Sequence, residues 1–152
     1  FTLDEVPGHK NIILFATGTG VAPYMSMLRS NVIAHEDRNY AVIHGAFNSQ
    51  DLGYRSELET IERFAKNFTY IPVISDADKE PVPWNGMRGF VQNVWTGKVL
   101  QEKWGKDIIP DNSQIFLCGH PQMIDDMVVL LAQKGFKEHK KKMPGTIHLE
   151  RF

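Results

Sequence analysis

The residues best suited to chemistry form the turn Thr17-Gly18-Thr19-Gly20, which follows the apolar run Ile12 to Phe15 after one further residue, Ala16. An unbroken apolar run is typical of a strand that is buried on both faces of a parallel sheet. An amphipathic helix is predicted next, because apolar residues recur at spacings of three and four: Val21, Tyr24, Met25, Leu28 and Val32. A strand, a glycine turn and a helix in this order direct free backbone N–H groups and the positive end of a helix dipole at an anion.

The kind of anion is narrowed by what the turn lacks. No Lys-Ser or Lys-Thr pair follows Gly20, so the turn is not the P-loop of a nucleoside triphosphate site. Pro23 stands where the G-x-G-x-x-G dinucleotide fingerprint has its third glycine. It fits the first turn of a helix, where a missing N–H costs nothing. We interpret the turn as a diphosphate-binding turn that belongs to neither of these two classes. The alternative is a turn with a purely structural role.

The elements that position this turn follow from the pattern of apolar residues. Strands are predicted at 12–15, 39–44, 68–75, 113–118 and 146–150, and helices at 21–32, 54–68, 90–104 and 122–134. The helical pattern of 90–104 is broken at Gly97 and Gly105, and residues 76–89 are predicted to be a loop. This alternation predicts an α/β fold, a doubly wound five-stranded parallel sheet with helices on both faces.

The predicted topology also indicates where a ligand would bind. In doubly wound sheets, ligands bind outside the carboxyl ends of the strands, near the point where the strand order reverses. The glycine turn follows the first strand, and Cys118-Gly119 ends the fourth. We therefore expect these two segments to lie side by side and line one crevice.

Composition excludes several classes of function. The chain of 152 residues has a net charge of −1, which gives no argument for binding nucleic acid. No apolar stretch approaches the ~20 residues that cross a bilayer. Cys118 is the single cysteine, which excludes an internal disulfide and favours a reducing compartment such as the cytoplasm. The histidines are not spaced as metal ligands, so no metal site is predicted.

Three motifs together resemble a known family. They are the segment Phe15 to Pro23 (FATGTGVAP), the segment Leu117 to Met123 (LCGHPQM) and the terminal Glu150-Arg151-Phe152. Their order and separation resemble the pyridine-nucleotide-binding half of the ferredoxin–NADP reductase family of flavoproteins, and most of all its bacterial ferredoxin/flavodoxin reductases. The resemblance implies that residues 1–10 end a preceding FAD-binding barrel and its linker, and that residues 11–152 are the NAD(P)-binding domain. We therefore expect this chain to be a fragment that is inactive alone.

The resemblance implies catalytic roles for three residues. Cys118 would face the nicotinamide ring, Glu150 would lie beside the reactive edge of the flavin, and Phe152 would stack over the isoalloxazine. Each has a simpler alternative. Cys118 could be a small buried residue, Glu150 could pair with a lysine, and Phe152 could fray as chain ends do.

The family likewise implies a set of nucleotide contacts along the four strand ends. These are Thr17, Gly18, Thr19, Gly20, Pro23, Phe47, Asn48, Tyr54, Ser75, Asp76, Cys118, Gly119, Pro121 and Met123.

Two of these positions depart from the NADP-specific pattern of the family. Phe47 lies in a segment that resembles the one in which NADP-specific members have an arginine. Ser75-Asp76 stands where those members have Ser-Arg. An arginine grips a 2′-phosphate, whereas a carboxylate repels it and accepts hydrogen bonds from ribose hydroxyls. The sequence therefore favours NADH, while Arg55, Lys79 and Arg88 keep NADPH possible.

The implied function is hydride transfer between NAD(P)H and FAD, followed by single electrons to a ferredoxin or flavodoxin. A lysine cluster near the C-terminus, at 137 and 140–142, could attract such an acidic carrier or could simply be solvated. One alternative is the reductase component of an oxygenase or cytochrome system. Another is a nucleotide-binding module without catalysis.

Overall fold

The structure is a computed structural model that describes residues 3, 6–8, 10–35 and 37–151. Its strands are β1 (Asn11–Thr17), β2 (Tyr40–Ala46), β3 (Phe68–Ile74), β4 (Met87–Arg88), β5 (Ser113–Gly119) and β6 (Ile147–Arg151). Its helices are α1 (Ala22–Asn31), α2 (Arg55–Phe64), α3 (Val91–Thr96), α4 (Val99–Trp104) and α5 (Pro121–Ala132). The strands form one parallel sheet in the order β4-β3-β2-β1-β5-β6.

Both faces of the sheet are covered, because the central strands are apolar on both sides. In β1, Ile13 and Phe15 pack on one face, and Ile12, Leu14 and Ala16 pack on the other. The first face lies against α3, α4 and α5, and the second lies against α1 and α2. A strand buried on both faces has no polar alternation, which explains why β1 reads as a continuous apolar run.

The predicted α/β doubly wound fold is confirmed, with one added strand. The five predicted strands are all present, and the sixth, β4, has only two residues inside the segment predicted as loop. Its pairing with Val73 and Ile74 at the end of β3 holds it in the sheet. A two-residue strand has no periodicity of its own, so the sequence could not indicate it.

The sheet reverses its order at β1, which pairs with β2 on one side and β5 on the other. Ala16 lies opposite Cys118 in β5, so the ends of these two strands are adjacent, as the sequence predicted. The glycine turn and the segment after β5 therefore lie at the topological switch point. Among the helices that the structure describes, none is both long and apolar enough to cross a membrane. The domain boundary near residue 10 stays a prediction.

Candidate functional site

A cleft of about 840 Å³ lies at the carboxyl ends of β1, β2, β3 and β5. Its lining consists of the ends of these strands and the segments that follow them: Thr17, Gly18, Thr19, Val21, Ala22, Gly45, Ala46, Phe47, Asp51, Gly53, Tyr54, Ser75, Gly89, Phe90, Val91, Gln92, Gly119, His120, Gln122 and Met123. Clefts of this size at a switch point commonly hold nucleotides and drug-sized ligands.

The floor of the cleft is the junction between β1 and β5. Gly119 has φ +138°, and a Cβ atom there would lie 2.3 Å from Oγ1 of Thr17. The same Oγ1 accepts a hydrogen bond from the backbone N–H of His120 at 2.9 Å. Only a glycine combines this backbone conformation with so close an approach, so Gly119 allows the two strand ends to meet.

The glycine turn is a short 3-10 helix, Gly18–Val21, that leads into α1. Gly18 has φ +53°, and an added Cβ would meet nothing within 4 Å, so its backbone is open toward the cleft. Gly20 has a different position. It is buried behind the turn, and a Cβ atom there would lie 2.3 Å from the carbonyl oxygen of Cys118. The two glycines of the motif therefore do different things, one giving access and the other close packing.

A buried histidine lies beneath the turn. His44 in β2 is fully buried, and its Nε2 lies 2.8 Å from the carbonyl oxygen of Gly18. Its Nδ1 has no hydrogen-bond partner among the described residues. Burial lowers the pKa of His44 below its ordinary value, with the bond to Gly18 opposing in part, so the neutral ring is favoured. The sequence prediction did not include His44, although a lone polar residue inside the apolar segment 40–46 was the available signal.

Cys118 lies beside the cleft without lining it. Its side chain is fully buried in the core on the α1 face, opposite Ala16 of β1 and Glu150 of β6. Burial, followed by the nearby charge of Glu150, raises the pKa of the Cys118 thiol to about 11. The thiol is therefore protonated at neutral pH and is unsuited to nucleophilic chemistry. Glu150 itself is exposed, and Phe152 lies outside the described residues.

Three exposed aromatic side chains stand at the cleft. Phe47 is 66% exposed, Tyr54 47% and Phe90 57%, and all three line it. Tyr54 was predicted as an apolar position within a helix, but it precedes α2 with φ +61°, which turns the chain before the helix begins. Exposed rings at a cleft offer flat surfaces on which a heterocyclic base can stack.

The three cations named above as possible ligands of a 2′-phosphate each have a carboxylate partner. Nζ of Lys79 lies 3.7 Å from Oδ2 of Asp76. Arg55 pairs with Glu59 at 2.8 Å and lies over the ring of Trp84, 5.0 Å from its centroid. Arg88 pairs with Asp78 at 3.0 Å. No lysine or arginine stands among the described residues that line the cleft, whereas Asp51 does.

Two glutamines from different helices that line the cleft share one carboxylate. Gln92 of α3 donates its side-chain N–H to Oδ2 of Asp126 at 3.1 Å, and Gln122 of α5 donates to Oδ1 at 2.9 Å. Because a carboxylate only accepts, both amides are held with nitrogen toward Asp126. This arrangement could not be predicted from the sequence, since nothing in the spacing of residues 92, 122 and 126 indicates a contact between two helices.

The predicted site residues thus divide into two groups. Those that line the cleft are Thr17, Gly18, Thr19, Phe47, Tyr54, Ser75, Gly119 and Met123. Those that the structure places elsewhere are Gly20, Pro23, Asn48, Asp76, Cys118, Pro121 and Glu150. Several of the second group have structural positions instead. Pro23 and Pro121 occupy the first turns of α1 and α5, and the Asn48 side chain accepts a hydrogen bond from the backbone N–H of Asp51 at 3.1 Å.

Comparison with known proteins gives consistent matches. Residues 14–128 match the family model described as the oxidoreductase NAD-binding domain. The flavodoxin/ferredoxin–NADP reductase of Buchnera aphidicola subsp. Baizongia pistaciae is 28% identical over 100% of this chain and 60% of its own length. Ferredoxin–NADP reductase B of Sorangium cellulosum is 33% identical over 100% of this chain and 58% of its own.

A solved structure has the same fold. The ferredoxin NADP+ reductase of Neisseria gonorrhoeae, with bound FAD and NADP, superposes with a TM-score of 0.79 at 20% identity, over 95% of this chain and 57% of that one. The chain therefore spans less than two thirds of the length of each of these proteins.

Proposed function

The chain belongs to the oxidoreductase NAD-binding domain family, as the motifs indicated, and from this we propose that it is the nucleotide-binding domain of an FAD-dependent ferredoxin– or flavodoxin–NAD(P)+ oxidoreductase. The single observation that carries the proposal is the cleft at the switch point, with the open backbone of Gly18 at one end and the Thr17–His120 junction at its floor. When bound together, a nicotinamide nucleotide and FAD supply hydride transfer, and a flavin can release electrons singly to a carrier.

The described residues fit a dinucleotide in the following way. The pyrophosphate would bind at Thr17 to Thr19, where backbone N–H groups and the N-terminus of α1 favour an anion. The adenine would lie between the ends of β2 and β3, where Phe47 and Tyr54 expose their rings. The nicotinamide would lie toward Gly119, because a residue without a side chain permits a close approach of the ring.

The residues with proposed catalytic roles are Cys118, Glu150 and Phe152. A buried, protonated thiol at Cys118 has the size to leave room beside Gly119 without reacting itself. The exposed carboxylate of Glu150, opposite Cys118 in the sheet, is accessible to a flavin on that edge and could hold a proton there. For Phe152 we propose the role that the resemblance implies, an aromatic ring that stacks on the flavin.

We assign NADH as the preferred nucleotide. The cations that would have to hold a 2′-phosphate are each paired with a carboxylate, and the cleft is lined by Asp51 but by none of these cations. A 2′-phosphate in the cleft would therefore meet the carboxylate of Asp51 with no lining cation to offset it, whereas a ribose hydroxyl could donate to that carboxylate.

The electron acceptor in this proposal is a ferredoxin or flavodoxin, the carriers named in the descriptions of the relatives. The lysines at 137 and 140–142 are exposed and precede β6, so they could attract an acidic carrier from solution. We place the protein in the cytoplasm, where the single buried thiol of Cys118 would stay reduced.

Titration of the 152-residue chain with NADH and NADPH by calorimetry tests the nucleotide site. Binding of one of them, weakened in a variant that fills the cleft such as Gly18→Val, supports the proposal. A chain that binds neither nucleotide would contradict the proposed nucleotide site.

Electron transfer is tested separately in a protein that joins this domain to its FAD-binding partner. Reduction of ferredoxin or flavodoxin supports the reductase, reduction of an oxygenase component alone favours that alternative, and no reduction favours a binding module.

A further inference from the structure

His44 occupies a position where an apolar residue would serve stability better. Its ring is fully buried within the apolar strand β2, and its partners across the sheet are Ala16 in β1 and Pro72 in β3. Its Nδ1 has no partner in the described part of the chain. A buried polar atom without a hydrogen bond lowers the free energy of unfolding. Packing alone therefore gives no reason for a histidine at this position.

The one contact that distinguishes this side chain is its 2.8 Å approach to the carbonyl oxygen of Gly18. A carbonyl oxygen only accepts hydrogen bonds, so Nε2 carries the proton and Nδ1 is the bare nitrogen. The ring is therefore a neutral donor of fixed tautomer. It holds the carbonyl of Gly18 toward the interior, below the turn.

The peptide bond converts this contact into a constraint on the cleft. In a planar trans peptide, the carbonyl of one residue and the N–H of the next point in opposite directions. With the Gly18 carbonyl held toward His44, the N–H of Thr19 points away from the buried ring. Thr19 lines the cleft, so an N–H group that points away from the buried ring is available to a ligand there.

We propose that His44 is a positioning residue that fixes the Gly18–Thr19 peptide so that the Thr19 N–H is aimed at an anionic group in the cleft. This inference rests on the proposed function, in which the anion is the pyrophosphate of a nicotinamide dinucleotide. His44 acts only through the turn and does not touch the ligand. The hydrogen bond from His44 restricts the Gly18–Thr19 peptide plane to one orientation before the ligand binds. The Thr19 N–H donor is therefore preorganised.

The test compares two substitutions with opposite effects on the donor. His44→Phe keeps a planar ring and removes the N–H, whereas His44→Gln keeps an N–H at about the same distance from Cβ. We expect His44→Phe to bind NADH about three- to tenfold more weakly, the range for loss of one hydrogen bond, and to shift the amide resonance of Thr19. His44→Gln should recover most of the affinity and the wild-type Thr19 resonance.

A matched control is available in β6. Nε2 of His148 lies 2.7 Å from Oε1 of Gln114, outside the cleft. His148→Phe therefore makes the same chemical change without touching the turn, and it should leave NADH affinity and the Thr19 resonance unchanged. Equal affinity in wild type and His44→Phe, or an equal loss in His148→Phe, would overturn the proposal.

A measurement on the wild-type chain does not depend on whether any variant folds. Nitrogen-15 spectra of the imidazole report which ring nitrogen is protonated, and the proposal requires Nε2–H on His44. Protonation at Nδ1 would overturn it. A wild-type chain that binds neither NADH nor NADPH would instead contradict the proposed function. The tautomer and the Thr19 resonance would then still decide whether His44 orients the turn.

Discussion

The hydroxyl of Thr17, the last residue of β1, accepts a hydrogen bond from the backbone N–H of His120, the residue after β5. The two residues are 103 positions apart in the chain, and the bond spans the switch point of the sheet at 2.9 Å. It joins the glycine turn to the start of α5. One hydroxyl group therefore adds a link between the two strands just beyond their last backbone pair, Ala16 and Cys118.

Thr17→Val should destabilise the fold by about 1 kcal/mol, since it preserves the shape of the side chain and removes one hydrogen bond. Thr17→Ser keeps the hydroxyl and should stay close to wild type. Urea unfolding of the three proteins measures the difference. The same variants should differ in NADH affinity in the same order, because the β1 end and the turn move together. Identical stability of the valine and serine variants would show that the bond contributes nothing.

The two glycines of the turn should respond differently to the same substitution. Gly20→Ala places a methyl group 2.3 Å from the backbone carbonyl of Cys118, which cannot move without shifting β5. We expect it to lose about 3 kcal/mol or more of stability. Gly18→Ala meets open space and has only the strain of φ +53°, about 1–2 kcal/mol. Its main effect should be on binding, because the methyl group enters the cleft.

Unfolding and NADH titration of both alanine variants give the comparison. A Gly20→Ala protein that folds as stably as Gly18→Ala would contradict the packing role of Gly20. A Gly18→Ala protein with unchanged affinity would show that the ligand does not approach the turn. The motif alone could not separate these two roles. It gives the same residue type at both positions, and only the register of β1 against β5 shows what each glycine meets.

The fold was predictable because the apolar patterns of its strands and helices agree with their tertiary positions. Strands such as β1 and β5 are buried on both faces, so their apolar runs are continuous and their carboxyl ends could be placed together from topology. The break between α3 and α4 was predicted from Gly97, and Lys98 with φ +54° turns the chain there. Phe68 was predicted to end a helix and to begin a strand. In the structure it begins β3, where it is buried and pairs with Tyr40 of β2.

The site was less predictable, because its contacts join residues that are distant in the chain. Tyr54 was a predicted nucleotide contact and lines the cleft, but its position before α2, where the chain turns with positive φ, did not follow from its helical spacing. Asp126 meets two glutamines from different helices, a contact that depends on how α3 and α5 pack. Asp51 was not among the predicted site residues and lines the cleft, whereas Asp76 was among them and does not.

The buried histidine should make stability depend on pH. Burial lowers the pKa of His44 in the folded chain below its ordinary value of 6.5. Above that value the ring is neutral in both states and its contribution is fully present. As pH falls below 6.5, His44 becomes protonated in the unfolded chain while it stays neutral in the folded chain. The free energy of unfolding then decreases, by at most about 1.4 kcal/mol per pH unit, until the lowered pKa is reached.

Subtraction of His44→Gln isolates this contribution. Urea unfolding of both proteins at several pH values between about 7.5 and 5 should give a difference in stability that changes as pH falls below the ordinary histidine value. The residues opposite His44 in the sheet, Ala16 and Pro72, carry no charge. A difference that stays constant across this range would mean that His44 titrates alike in both states.

The thiol of Cys118 should be unreactive in the folded chain. With its pKa raised to about 11 and its side chain buried, the Cys118 thiol stays protonated in the folded chain at neutral pH. Labelling by a thiol-specific reagent should therefore be slow in buffer and fast in urea. Rapid labelling of the folded chain would show an accessible, ionised thiol and would favour a direct chemical role for Cys118.

Nucleotide choice should depend on the charges near the ends of β2 and β3. Asp51 lines the cleft, and Asp76 follows β3 with its carboxylate held toward Lys79 at 3.7 Å. Like charges ~4 Å apart repel by about 1 kcal/mol in water and about 4 kcal/mol at an effective dielectric of 20. Because these carboxylates are partly exposed, the repulsion of a 2′-phosphate should lie near the lower value, about a fivefold to tenfold preference for NADH.

Asp76→Arg should reverse the sign of this interaction and shift binding toward NADPH, and Asp51→Asn should relax the preference without reversing it. The ratio of the Kd values for NADH and NADPH, measured by calorimetry on the wild type and both variants, checks the assignment. Arg55→Gln is the control, since this arginine is engaged by Glu59 and Trp84 and should not hold the phosphate. A wild type that prefers NADPH and loses that preference in Arg55→Gln would show that Arg55 leaves its partners to bind the phosphate, and the roles given to Asp51 and Asp76 would be wrong.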